Sequence, residues 1–283
     1  MKQANIFEEP DCPLCQKAGS ATLYAWPEKP GYRVVRCTSC DFCYLSPRPQ
    51  EEHIFAIYED AAYYAGELQG YSNYEIQEAA LGLTFRRLLQ NLQKRDLTGG
   101  RLLEVGCGFG YLLREARTHF DYMEATDFAE PAAQRAAAYA DKVHKGGLDK
   151  VADEARFDLV IANHVIEHVY DPVGFTRELM RRLKPGGTLV LSTPNMGSPW
   201  RRLMGRRWPS FKLPEHVLYF DRTSLQRLMQ LAGAGMAQIL PYPHAFPLTL
   251  VASKLRLTVP ARLAGISLWI PGTTVALYAL KEG

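Results

Sequence analysis

Three glycines at alternate positions, Gly106, Gly108 and Gly110, close the run RLLEVGCGFG, and Glu104 stands two residues before the first of them. An apolar run that ends in an acid and then Gly-x-Gly-x-Gly reads as a strand turning sharply into a helix. Glycine is needed where the chain reverses tightly and a ligand must come closer to the backbone than a Cβ allows. A helix predicted over 111–118 aims its first amides at that ligand. The chemistry this turn serves is the binding of a nucleoside cofactor. Its spacing is not the Gly-x-Gly-x-x-Gly of dinucleotide enzymes.

The elements that must position this turn follow in order. A strand predicted over 122–126 ends in Asp127, at about the separation at which an acid beyond a second strand reaches ribose hydroxyls. A third apolar run, 157–162, leads into NHVIEHVYDP, and Lys184-Pro185-Gly186-Gly187 turns into a strand at 188–192. Asn163 and His164 thereby fall at the carboxyl end of a strand, the edge at which ligands bind in such sheets. Helices are predicted over 75–94, 131–140, 172–183 and 222–232, and two last strands over 236–241 and 273–281. Alternating strands and helices imply an α/β fold with a mostly parallel sheet covered on both faces.

Four of the six cysteines form a second pattern. Cys12-x2-Cys15 and Cys37-x2-Cys40 have the spacing in which two knuckles present four thiolates to a zinc ion. Four thiolates leave no open position, so the zinc would be structural, and it would supply much of the folding free energy of a ribbon spanning residues 1–50. Cys43 reads as a packing residue, and Cys107 as a small residue tolerated beside the cofactor. Residues 51–96 read as a helical connecting or lid segment; its tyrosines between 53 and 74 either line a substrate cavity or pack the ribbon against the domain.

A chain of 283 residues is long enough for one α/β domain, 97–283, plus the small accessory unit. The formal charge of +3 and the near balance of charge in the first fifty residues give little pull toward nucleic acid. The polar start, Met1 to Pro10, and the lack of an apolar run of roughly 18 residues make a cytoplasmic protein the expectation. Residues 243–271 form an apolar insertion broken by Pro247 and Pro260. They could cap an apolar substrate or touch a membrane surface, but a pair of short helices burying one face on the domain is the favoured expectation.

With these elements in this order, the chain resembles the class I S-adenosylmethionine-dependent methyltransferases over about two thirds of its length. LLEVGCGFG matches their first motif, ATDF the ribose acid, FDLVIANHVIEHVYDP the strand-four block and LKPGGTLVLSTPN the strand-five block. The resemblance implies a Rossmann-like sheet with one antiparallel strand. It also implies S-adenosylmethionine held by Glu104, Gly106, Gly108, Gly110, Asp127 and Phe128, with Leu148 as a substitute contact to adenine and Asn163 facing the transferred methyl.

Methyl transfer is an in-line displacement, so the protein must hold donor and nucleophile together, and a base is needed only for a protonated nucleophile. His216, before Tyr219-Phe220, is the preferred base; His164 is either a base or a wall of the cofactor pocket. The block His164, Glu167, His168 resembles one that holds a divalent ion in ubiquinone-pathway O-methyltransferases, and a catalytic metal there is the lesser reading. Arg201, Arg202, Arg206, Arg207 and Lys212, interleaved with Trp200, Trp208 and Phe211, suit an anionic or nucleotide-linked partner. The expected activity is methylation of a small-molecule acceptor, at oxygen of an anionic, sugar-linked or natural-product substrate. The alternatives are an RNA base methyltransferase and a non-catalytic cofactor-binding module.

Overall fold

The structure, a computed structural model, describes residues 6–29, 31–54, 75–254 and 257–282. Most of the tyrosine-rich stretch lies outside these residues. Two sheets organise the rest. A seven-stranded sheet has the order β12 (Gln238–Ile239), β15 (Thr274–Leu280), β10 (Leu183–Pro194), β9 (Phe157–Asn163), β6 (Arg101–Val105), β7 (Tyr122–Asp127), β8 (Lys142–Lys145). A four-stranded antiparallel sheet has the order β11 (Leu218–Tyr219), β4 (Cys43–Leu45), β3 (Arg33–Cys37), β2 (Ser20–Ala25). Two short strands, β1 (Phe7–Glu8) and β5 (Arg48–Pro49), pair beside it.

From β8 to β10 the large sheet is parallel, and β15 runs antiparallel to β10. The antiparallel strand is not the edge itself: short β12 pairs with its outer side. Going outward from β6, the chain adds β7 and β8 on one side and β9 and β10 on the other. The carboxyl ends of β6 and β9 therefore flank the point where strand order reverses, which is where the crevice of an open α/β sheet lies.

The apolar pattern explains why these segments settle as they do. In β9, Leu159 and Ile161 bury against one core, Val160 and Ala162 against the other. A strand covered on both faces must be apolar at nearly every position. Helix α1 (Glu78–Gln93) places Leu81, Phe85, Leu88, Leu89 and Leu92 on one buried stripe, the three-and-four spacing of a surface helix. The shorter helices α2 (Tyr111–Ala116), α3 (Glu130–Ala136), α4 (Pro172–Arg181), α5 (Pro199–Met204) and α6 (Arg222–Leu231) follow, and α6 opens with a capping box between Asp221 and Ser224. The core on one face of the sheet continues without a break through Phe220 and Leu218 into Phe42, Val34 and Leu14.

The insertion differs from expectation. The two short helical segments, α7 (Leu248–Lys254) and a single 3-10 turn (Ala261–Leu263), are joined by an unforeseen antiparallel hairpin, β13 (His244–Pro247) with β14 (Ser267–Ile270), that frames them. Pro247 and Pro260 cut the apolar run into lengths that carry few helical hydrogen bonds against the cost of a nucleus, whereas a strand takes its bonds from a partner. Among the described residues no helix is long and apolar enough to cross a membrane.

Gly110 shows how tightly the first turn is closed. Its φ is +77°, and a Cβ there would lie 2.9 Å from Cα of Ala136 in α3. Gly110→Ala is therefore expected to cost about 1–3 kcal/mol through strain and a backbone shift. Urea denaturation that finds the variant as stable as the wild type would show that the turn has slack.

Candidate active site

The turn after β6 is held from below by the next strand. Gly106, Gly108 and Gly110 all have positive φ, and Asp127, buried at the end of β7, receives the Gly108 amide on Oδ2 at 2.8 Å and the Ala129 amide on Oδ1 at 3.0 Å. Burial raises the Asp127 carboxyl above its ordinary value, while the two amides pull the other way. Glu104, also buried, is pushed well up by burial and then by the charge of Asp127, and its Oε2 has no partner. A Cβ on Gly106 would lie 2.5 Å from the Val165 side chain, so the turn and the segment after β9 touch.

Beyond Asp127, Phe128 lies over Gly147, where a Cβ would come within 3.1 Å of the ring. Leu148 opens a short 3-10 turn beside it. Buried Arg182 pins that turn by donating to the carbonyls of Leu148, Val151 and Ala152. Arg182 also pairs with Glu178 four residues back, but nothing in the spacing of the sequence marks its hold on the turn, since those three carbonyls lie thirty or more residues away.

After β9 the backbone leaves the sheet through His164, whose φ is +54° and whose amide donates to the Ser192 carbonyl at 2.9 Å. Asn163 accepts from Ser192 Oγ at 2.8 Å through Oδ1, leaving Nδ2 without a partner. His164 Nδ1 lies 3.3 Å from Glu167 Oε1, and Thr193 Oγ1 donates to Glu167 Oε2 at 3.0 Å. His164 Nε2 has no partner. Burial alone would raise the Glu167 carboxyl, but the His164 hydrogen bond and the charges of His164 and His168 outweigh it and hold it below the usual glutamate value.

His216 is buried behind this row, its ring edge-on to His168 with centroids 4.7 Å apart. Burial, reinforced by His168, Lys212 and His164, holds it well below the usual histidine value. Tyr219 donates to the His216 carbonyl at 2.8 Å, and His168 Nδ1 meets the Glu215 carbonyl at 3.0 Å. Ligand atoms of Glu167, His168 and His216 lie within 4.8 Å of one another. Of the basic patch, Arg201 is engaged with the Met196 carbonyl and the Tyr24 hydroxyl. Trp208 and Phe211 pack in a ring cluster with Trp26 and Tyr24.

At the far end, Cys12, Cys15, Cys37 and Cys40 converge, with all four Sγ atoms within 4.8 Å of one another. Sγ of Cys12 and Cys40 are 3.6 Å apart, and those of Cys15 and Cys37 3.7 Å. Cys43 stands aside, its thiol against the Asp41 carbonyl. Cys107 is buried in the glycine turn, where burial and then the Asp127 and Glu104 charges push its thiol up.

A family model for the methyltransferase domain matches residues 75–238, more than half of the chain. The chain belongs to that family. Among curated methyltransferases, it is 30% identical over 135 residues to a ubiquinone biosynthesis O-methyltransferase of Bradyrhizobium diazoefficiens, covering 45% of this chain and 49% of that one. It is 32% identical over 171 residues to a protein of Mycolicibacterium smegmatis named as a probable S-adenosylmethionine-dependent methyltransferase, covering 57% of this chain and 60% of that one. The chain thus spans about half the length of the curated relatives it matches. The methyltransferase fold is shared with a methyltransferase structure from Thermotoga maritima, with a TM-score of 0.56 at 20% identity over 82% of this chain and 100% of that one. It is shared too with magnesium protoporphyrin IX methyltransferase from Synechocystis, with a TM-score of 0.53 at 11% identity over the same shares.

The buried histidines make the methyltransferase domain acid-sensitive. His168, His216 and His244 are each held below the usual histidine value, chiefly by burial. In the unfolded chain they would protonate near pH 6.5, so below that pH the unfolded state binds more protons and stability falls with pH. Glu104 and Asp127, with raised values, work in the opposite sense, and buried Glu167, held below its usual value, works with the histidines. Melting temperature is expected to drop by several degrees from pH 7.5 to 5.5, and a flat or rising profile would contradict neutral burial of these rings.

Proposed function

We propose that the chain binds S-adenosylmethionine and methylates a hydroxyl oxygen of a small-molecule acceptor, with His164 taking the proton. The observation that carries this reading is the row Thr193, Glu167, His164 at the carboxyl end of β9, beside the three-glycine turn. The residues fit the cofactor. The glycines leave backbone uncovered at the turn. Glu104 Oε2 and Asn163 Nδ2 are orphaned buried atoms, an acceptor suited to an ammonium and a donor suited to a carboxylate. Asp127 has lone pairs to spare for ribose hydroxyls after its two amides, and half-exposed Phe128, packed against Gly147, offers an aromatic face to a flat base. When bound, S-adenosylmethionine supplies an electrophilic methyl carbon on a sulfonium.

The chain's own part is positioning and proton transfer. With Nδ1–H of His164 donating to Glu167, Nε2 carries the lone pair that accepts the acceptor's O–H proton. Glu167, already negative and fixed by Thr193, then stabilises the imidazolium. His216, neutral and with Nδ1 uncommitted, is the alternate base. Mutation separates the two. His164→Asn, which tolerates the left-handed backbone, and Glu167→Gln are expected to lower kcat by about 100-fold or more while calorimetric affinity for S-adenosylhomocysteine stays within a few-fold. His216→Phe is expected to act more weakly. If only His216→Phe abolishes turnover, the proton goes there instead; if the wild type binds no S-adenosylhomocysteine, the cofactor reading itself fails.

We also propose a structural zinc ion at the four cysteines. A tetrahedral site with Zn–S near 2.3 Å has sulfur pairs roughly 3.8 Å apart, which the observed 3.6 Å and 3.7 Å approach. One equivalent of zinc is expected by elemental analysis, and Cys15→Ser is expected to lose it together with several degrees of melting temperature. Full stability in a metal-free preparation would refute the site.

A further inference from the structure

The insertion hairpin brings a histidine to the methyltransferase site that its apolar composition hides. His244 opens β13 and is buried. Two hydrogen bonds from α1 fix its place: the Ala245 amide donates to Thr84 Oγ1 at 2.9 Å, and Asn91 Nδ2 to the Pro241 carbonyl at 2.7 Å. Phe246 stacks on the imidazole with centroids 4.4 Å apart. The His244 ring stands 5.8 Å from that of His164 and 6.2 Å from that of Tyr242, and Tyr242 stands 6.4 Å from His164, so the three rings form a near-equilateral set.

Polar atoms in this set lack partners. His164 Nε2, His244 Nδ1 and the Tyr242 hydroxyl are buried with no hydrogen bond. Each such atom is costly to leave unpaired, and nothing in the hairpin's packing requires a histidine where a phenylalanine would stack as well on Phe246. The Glu104 and Glu167 carboxyls act on Tyr242, which disfavours an anionic ligand at this end.

We propose that His244 is an acceptor-binding residue: with His164 it forms a subsite for an uncharged acceptor carrying a hydroxyl and, next to it, a second hydrogen-bonding group. The hydroxyl lies at His164 Nε2 and the second group at His244 Nδ1. The hairpin is thus a specificity element of the site. This rests on the methyltransferase reading of the preceding subsection.

The test compares wild type, His244→Phe and His244→Asn, the first keeping the ring stack and the second keeping a polar atom near the position of Nδ1. Calorimetry with S-adenosylhomocysteine comes first; loss of binding by the wild type would strike the methyltransferase reading, not the subsite alone. With the protein saturated in S-adenosylhomocysteine, binding of catechol and of cis-cyclohexane-1,2-diol, against phenol and cyclohexanol, is then followed by ligand-observed NMR. At least one diol is expected to bind more tightly than its mono-ol, to weaken about tenfold in His244→Phe, the worth of one buried hydrogen bond, and to recover in His244→Asn. Equal binding by wild type and His244→Phe, no preference for diols, or no diol binding by the loaded wild type would each overturn the subsite.

Discussion

One carboxylate ties the cofactor side of the molecule together. Asp127 holds the amide of Gly108 in the turn above β6 and the amide of Ala129 in the turn above β7, so two loops from adjacent strands share a single buried acid. The glycines permit the left-handed turn, but permission is not position; without the Asp127 bonds the loop would have many conformations to choose among. Glu104, beneath the same loop, adds a second buried acid that raises the cost of leaving the region empty.

A parallel arrangement rules the other strand of the crevice. Glu167 is bonded to His164 and Thr193 through its side chain, and its carbonyl accepts the Val217 amide at 2.9 Å. That last bond joins the end of β9 to the segment that becomes β11, and β11 pairs with β4 of the cysteine-bearing sheet. The residue bonded to the imidazole is therefore also one of the points at which the N-terminal sheet is registered on the sheet of the methyltransferase domain, together with the Tyr170 hydroxyl, which donates to the Pro49 carbonyl at 2.7 Å. Hydrogen bonds within a buried polar network strengthen one another.

Much of this was legible in the sequence, for a physical reason. The glycine turn, Asp127 and the Cys-x2-Cys pairs are local patterns, with partners close in the chain or marked by residue type, and they led to the right strands and to the converging thiols. What escaped notice depends on distant pairing. Leu218 and Tyr219 are too few to show an alternation, yet they complete a sheet. Arg182 looks like any basic residue at a helix end and becomes a clamp only through carbonyls on another element. His244 sits in an apolar run whose prolines leave no period to read, so neither the hairpin nor its approach to His164 could be seen before folding.

The borrowed strand has a consequence for how the chain is made. Residues 7–49 are synthesised well before the strand that completes their sheet, so β4 lacks its outer neighbour until Leu218 and Tyr219 have been made, on the order of ten seconds or more later at 5–20 residues per second. Through that interval the Tyr44 edge is an open template for pairing with other nascent chains.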